Sequence, residues 1–112
     1  MAGKFELFKD KKGEFRFRLR AGNGEIVLAS ESYKDRAGAL NGVESVRKNA
    51  GDAARYAKKA AAGGKHHFVL KAANNQVIGQ SEMYDSETSC DSGVKSVMAG
   101  AAGATLDDQT AD

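Results

Sequence analysis

The stretch from Phe17 to Val46 is written again, without a gap, 51 residues later, and this duplication constrains the fold more than any other feature of the chain. Phe17-Arg-Leu-Arg-Ala-Gly-Asn23 returns as Phe68-Val-Leu-Lys-Ala-Ala-Asn74, Ser30-Glu31-Ser-Tyr33 as Ser81-Glu82-Met-Tyr84, and Gly42-Val43-Glu-Ser45-Val46 as Gly93-Val94-Lys-Ser96-Val97. Laying residues 5–53 on 56–104 gives 14 identities in 49 positions. A unit of about 50 residues offers too few apolar side chains for a core of its own. The expectation is a single domain over 1–112, built from repeats at about 4–51 and 55–103 that share one interior, with a disordered tail from about 104.

Within the unit, Phe15-Arg16-Phe17-Arg18-Leu19-Arg20-Ala21 alternates strictly, placing its apolar residues on one face of a strand and three arginines on the other. Phe5-Glu-Leu7-Phe8-Lys9 reads as the preceding strand, joined by an Asp10-Lys-Lys-Gly13 turn. Asn23-Gly24 reads as a two-residue type I′ hairpin with both residues at positive φ. That register sets Ala21 opposite Ile26, Leu19 opposite Leu28, Phe17 opposite Ser30 and Arg16 opposite Glu31. Asn74-Asn75 repeats the device, setting Leu70 opposite Gly79 and His67 opposite Glu82.

Asp35 reads as an N-cap, and Ala39, Leu40, Val43, Val46 and Ala50 follow as an apolar stripe at helical spacing. In the second unit Ser86 or Asp85 caps, and Cys90, Val94, Val97, Met98 and Ala101 form the stripe. Glycine inside a helix costs about 1 kcal/mol against alanine. The recurrence of Gly42 as Gly93 therefore predicts a helix backbone lying close to the sheet. Local propensity and the repeat disagree over residues 53–62. The alanine-rich run favours helix, yet Tyr56 aligns with Phe5 and Gly64 with Gly13. Pairing in a sheet overrides propensity, so 55–60 is expected to be a strand, the alternative being a first helix continued past Gly51.

Phe15-Arg-Phe-Arg-Leu-Arg-Ala, the Asn-Gly turn, Ser-Glu-x-Tyr and Ala39-Leu-Asn-Gly-Val-Glu-Ser-Val-Arg-Lys-Asn49 together resemble the YegP-like family of small bacterial proteins, over about residues 4–101. These motifs specify a fold and not a catalytic centre, so the resemblance implies a β-β-β-α unit present twice and no assigned reaction. The chain departs from the family's usual look in Ala60-Ala-Ala-Gly-Gly-Lys65 and in the Gly/Ala-rich end of the second unit. The fold class expected is α+β: two tandem β-β-β-α repeats with pseudo-twofold symmetry, an antiparallel sheet of up to six strands covered by two helices on one face. Strand exchange between units, and a monomer or a homodimer paired through leftover sheet edges, stay open at this point.

Charge and cysteine narrow the setting. Lys and Arg total 17 and Asp and Glu 15, a net +2, with residues 1–51 at +4 and 52–112 at −2. Setting aside Asp107, Asp108 and Asp112 of the expected tail leaves a mildly basic body of +5. Cys90 is the only cysteine, aligned with Ala39, and reads as a small buried helix residue in a reducing compartment. The opening Met1-Ala-Gly-Lys4 has no apolar signal core and no run is long enough to span a membrane, so a cytoplasmic location is expected.

Two constellations are candidates for chemistry. Arg16, Arg18 and Arg20 project from one strand face at about 6.6–7 Å, comparable with phosphate spacing; Lys71 keeps the charge in the second unit, where His67 and Val69 replace the other two arginines. No aromatic platform is expected to be interleaved on that face of the sheet, and Glu31 and Glu82 oppose Arg16 and His67 as in an ordinary solvated sheet. The second is Ser30-Glu31-x-Tyr33 with its copy, in which Glu31, Tyr33, Glu82 and Tyr84 offer an acid beside a phenol, against the plainer reading of tyrosines packed under the following helix. His66 and His67 point to opposite faces of a strand and cannot chelate one ion, and Asp85, Glu87 and Asp91 suit a helix start, so no metal and no cofactor are expected. The reading that leads is a non-enzymatic binding or interaction module with a mildly basic sheet face, its partner nucleic acid or another anionic ligand. The alternatives are a small structural or stress-related self-associating protein, and an enzyme with its site between the repeats.

Overall fold

The computed structural model describes residues 3–110. Seven strands, β1 (Lys4–Lys9), β2 (Phe15–Arg20), β3 (Ile26–Ala29), β4 (Tyr56–Ala60), β5 (His66–Lys71), β6 (Val77–Gln80) and β7 (Thr105–Asp108), form one sheet in the order β4-β5-β6-β3-β2-β1-β7. Two helices, α1 (Arg36–Asn49) and α2 (Glu87–Gly100), complete an α+β fold. Adding 51 to the bounds of β2, β3 and α1 reproduces those of β5, β6 and α2. The strands of each repeat stay together, and the repeats join through β3 and β6, where Ala29 faces its own counterpart Gln80.

The expectation of a purely antiparallel sheet is corrected by β7, which runs parallel to β1 and makes the sheet mixed. It also replaces the disordered tail expected from about 104; residues 111 and 112 of that tail, like Met1 and Ala2 of the opening, lie outside the described residues. Two acidic residues in Thr-Leu-Asp-Asp argue against a strand by propensity. What holds it is remote in sequence: Gln109 N–H donates to Leu7 C=O at 2.8 Å, Arg47 Nη1 donates to Ala104 C=O at 2.7 Å, and Arg36 pairs with Asp108.

Between β2 and β3, Leu19 faces Leu28 and Ser30 N–H donates to Phe17 C=O, as the repeat predicts. The turn differs. Gly24 alone takes positive φ (+86°), Gly24 N–H donates to Ala21 C=O at 2.9 Å, and Ala21 N–H donates to Glu25 C=O at 2.8 Å. This is a type I turn followed by a left-handed residue, and it corrects the expected register: Ile26 faces Arg20, and not Ala21, across a bulge. Asn23 is left at negative φ because its side-chain oxygen accepts from Glu25 N–H at 3.1 Å, a bond that a type I′ turn does not need. The second unit matches, with Asn75 in the left-handed position and Asn74 accepting from Gln76 N–H.

One face of the sheet carries Phe5, Leu7, Phe17, Leu19, Leu28, Phe68 and Leu70, all at 1% exposure or less, and packs under α1 and α2. Asp35 caps α1 by accepting from Gly38 N–H at 2.7 Å, and Ser86 caps α2 by accepting from Ser89 N–H at 3.1 Å. Each helix also reaches across the seam, α1 onto β5 and β6 and α2 onto β3, so the repeats share their interior. Residues 53–55 form a single tight helical turn, capped by Asp52, and the chain then enters β4 against β5, so neither a long helix nor an extended α1 forms.

Gly42 and Gly93 sit where the repeat predicts a close approach. A Cβ on Gly42 would lie 2.5 Å from the Tyr33 hydroxyl and 2.8 Å from the Phe17 ring, and one on Gly93 would meet the Tyr84 hydroxyl and Phe68. The neighbour is therefore the tyrosine laid between sheet and helix, and not the sheet backbone.

Candidate functional site

The face of the sheet turned away from the helices is set by the β1–β2 register. Phe17 faces Leu7 on the core side, so Arg16, Arg18 and Arg20 face Phe8, Glu6 and Lys4 on the open side. Sequence reasoning paired Arg16 with Glu31; the structure instead gives the ladder its acids from β1 and the β1–β2 turn. Glu6 Oε1 accepts from Arg18 Nε at 2.6 Å and from Arg20 Nε at 2.8 Å, and Asp10 Oδ2 accepts from Arg16 Nε at 3.1 Å. Arg20 Nη1 further donates to Gly24 C=O at 2.8 Å.

Glu6 is only 6% exposed. The Arg18 guanidinium, chiefly, and then that of Arg20 outweigh the effect of burial and hold its carboxyl at about 2, well below the 4.5 of a free glutamate. The sign follows: a carboxyl depressed in the native state stabilises it fully above pH 4.5, and that contribution is lost as pH falls through about 2. Asp108, held at about 2 by the Thr110 hydroxyl and Arg36, contributes with the same sign, fully above its ordinary 3.8 and lost as pH falls through about 2. Glu6→Gln is expected to flatten this acid limb and to cost roughly 1–3 kcal/mol at neutral pH, measured by urea unfolding at a series of pH values between about 2 and 7.

Phe8 alters the ladder's meaning. It lies beside Arg16 on the open face, and the Arg18 guanidinium stacks over its ring, 4.7 Å from the centroid. Phe8, Lys11, Lys12, Asp10 and Arg16 line a shallow cavity of about 370 Å³ at the β1–β2 turn. An aromatic platform among cations is thus present, supplied by the neighbouring strand. A signal existed for it: the tight turn at Asp10–Gly13, closed by Gly13 N–H to Asp10 C=O at 3.0 Å, fixes which residues of β1 share a face with the arginines.

The remaining candidates do not join this cluster. Lys71 occupies the β5 position equivalent to Arg20, but β3 and β6 intervene, roughly 14 Å of sheet. Tyr33 stacks on Phe17 (6.2 Å, 15°) and Tyr84 on Phe68 (6.4 Å, 10°), each beneath its own helix. They bridge the starts of β2 and β5, which run antiparallel to one another, so Glu31 and Tyr33 lie at the opposite end of the sheet from Glu82 and Tyr84. These four form no common cleft. Burial pushes both phenols up, with nearby carboxylates adding to the effect, which opposes an acid/base role at neutral pH.

The repeated serines of the same motif have a structural task. Ser30 Oγ accepts from Phe17 N–H at 2.9 Å and donates to Glu31 C=O at 2.7 Å; Ser81 Oγ accepts from Phe68 N–H at 2.9 Å and donates to Glu82 C=O at 2.8 Å. Cys90 is fully buried and burial pushes its thiol up. Among the described residues no three His, Cys, Asp or Glu side chains are grouped to hold a metal ion, and no helix is long and apolar enough to cross a membrane.

Comparison with known proteins agrees with this architecture. The family model described as a domain of unknown function, DUF1508, matches residues 10–56 and again 61–108. A UPF0339 protein encoded 5′ of the ptx operon in Stutzerimonas stutzeri is 60% identical over 97 residues, 87% of each chain. The solution NMR structure of a UPF0339 protein from Shewanella oneidensis superposes with a TM-score of 0.92 at 49% identity, covering 98% of this chain and 93% of that one. The solution NMR structure of YegP from Escherichia coli, described as a protein of unknown function, superposes with a TM-score of 0.93 at 47% identity, covering 100% and 97%. With two copies of its defining domain and relatives matched over nearly their full length, the chain belongs to the YegP-like UPF0339 family.

Proposed function

We propose that the protein is a non-enzymatic binding module that takes a phosphate-bearing ligand, single-stranded nucleic acid first among them, on the open sheet face around Phe8. The observation that carries this reading is the shared concavity of one aromatic ring with Lys11, Lys12 and Arg16, bordered by Arg18. Base stacking on an aromatic side chain contributes roughly 1–3 kcal/mol per base, and lysine and arginine beside it meet the backbone charge. Glu6 takes part by orientation: it holds the Nε edges of Arg18 and Arg20 through hydrogen bonds.

The test is fluorescence anisotropy of labelled single-stranded DNA and RNA over a range of salt. Binding is expected to weaken as salt rises, and about tenfold or more in Phe8→Ala and in Lys11→Glu/Arg16→Glu. Glutamate at 18 or 20 would remove a hydrogen bond to the buried Glu6 and set a second carboxylate against it, disturbing the fold, so these positions are poorer probes. Absence of binding at low salt, or binding that the variants leave unchanged, would rule the reading out.

A further inference from the structure

The two outer edges of the sheet are equivalent by the repeat but not alike in occupancy. In the first unit, β1 is flanked by β7, which lies parallel to it with Leu106 beside Phe5, Asp107 beside Glu6 and Asp108 beside Leu7. In the second unit the equivalent strand is β4, and among the described residues no strand pairs beyond it. Its last three residues, Lys58, Lys59 and Ala60, are exposed. Between β4 and α2 lies a groove of about 330 Å³, lined by Tyr56, Lys58, Asp91, Val94 and Met98 among others. We propose that this edge docks an extended segment of another protein, laid parallel to β4 as β7 lies beside β1, and reading apolar, acidic, basic in succession.

The order of chemistry follows from the substitutions between units. At the position of Leu106 the occupant meets Tyr56, the counterpart of Phe5, and next to it Met98 stands where Arg47 lies over the Phe5 ring in the first unit. The place is apolar, and more so than its equivalent. At the position of Asp107 the occupant lies beside Ala57, where Glu6 stands in the first unit, and near Arg55, the counterpart of the Lys4 that pairs with Asp107 at 3.9 Å. Arg55 pairs with Asp52 at 3.5 Å, but the acid of Glu6 is gone, so an acid is retained in the occupant. At the position of Asp108 the sign reverses. Arg36, the partner of Asp108, is replaced by Glu87, which together with Asp91 surrounds Lys58 at 3.7 and 2.6 Å. Lys95 lines the same groove but forms no ion pair with either acid, so Glu87 and Asp91 stand against Lys58 alone at this position and favour a base.

A second copy of the chain is a poor occupant on the same grounds. Its β7 carries Asp108 where a base is needed, and β4 paired with β4 would bring Lys58 and Lys59 against their own copies. Main-chain pairing would supply affinity and the alternating side chains specificity.

The test uses the full chain, isotope-labelled, titrated with a synthetic peptide copying residues 102–110 but carrying Asp108→Arg. Saturable amide shifts are expected at 56–60 and along α2 from Asp91 to Met98, with the unsubstituted peptide at least about fivefold weaker. In the Glu87→Arg protein, a change at an exposed position, the preference should reverse. Shifts confined to 4–9, which would mean displacement of β7, would overturn the proposal; so would no shifts at millimolar peptide, or affinities indifferent to the charge exchange.

Discussion

Phe17→Ala is expected to lower stability by about 3–5 kcal/mol, and Phe68→Ala by a similar amount, the cost of removing a large buried ring from a packed interior. Each ring is the middle member of a trio. Phe17 meets Phe5 edge-on at 6.0 Å and stacks on Tyr33, while Phe68 meets Tyr56 edge-on at 5.7 Å and stacks on Tyr84. Deletion therefore strips contacts from sheet, helix and motif tyrosine together. A domain of this size has only about 5–15 kcal/mol to lose, so either variant stands close to unfolding at 37 °C. The form of the transition is as informative as its midpoint. Because α1 reaches β5 and β6 and α2 reaches β3, urea unfolding of either variant should stay a single step seen alike by circular dichroism and tyrosine fluorescence. Two separated steps would mean that the repeats are energetically independent.

Ser30→Ala and Ser81→Ala form the second test, with an expected loss of about 1–3 kcal/mol each. At both places a hydroxyl takes over the ladder bond as the strand departs: Phe17 N–H and Phe68 N–H donate to Oγ at 2.9 Å, deep in the structure. Alanine adds no bulk and removes little apolar contact, but leaves a buried N–H without a partner. Amide exchange at Phe17 or Phe68 should accelerate in the corresponding variant while distant amides slow or speed only with global stability. If both variants match the parent in urea, the serines are incidental to the repeated motif.

The elements that could be read from the chain are those whose determinants are local or duplicated. The strict alternation around Phe17, the cap at Asp35 and the stripe through Val43 and Val46 each reside within a few neighbours. β4 was legible only because Tyr56 aligns with Phe5; by propensity alone its alanines and lysines favour helix, and pairing with β5 decides otherwise. What escaped is non-local. β7 is tied by Arg36 and Arg47, 72 and 57 positions away from the residues they hold. The turn at Asn23 hinges on one side-chain bond that separates two hairpin types of equal sequence plausibility. In the candidate site the arginines are plain in the alternation of β2, but that alternation does not say that β1 and its turn, and not Glu31, supply their acids, nor that Phe8 reaches their face from the neighbouring strand.

At the seam, Leu28 and its counterpart Gly79 differ in size for a reason: a Cβ on Gly79 would come within 2.8 Å of the Leu28 side chain. The pseudo-symmetry therefore stops at the place where the copies meet, with a knob from one unit seated in a hollow of the other. Two first units would bring a pair of leucines into collision there, and two second units would face each other across an empty notch. Only an unlike pair closes the joint, and carrying both halves on one polypeptide guarantees that each finds its complement at equal dose.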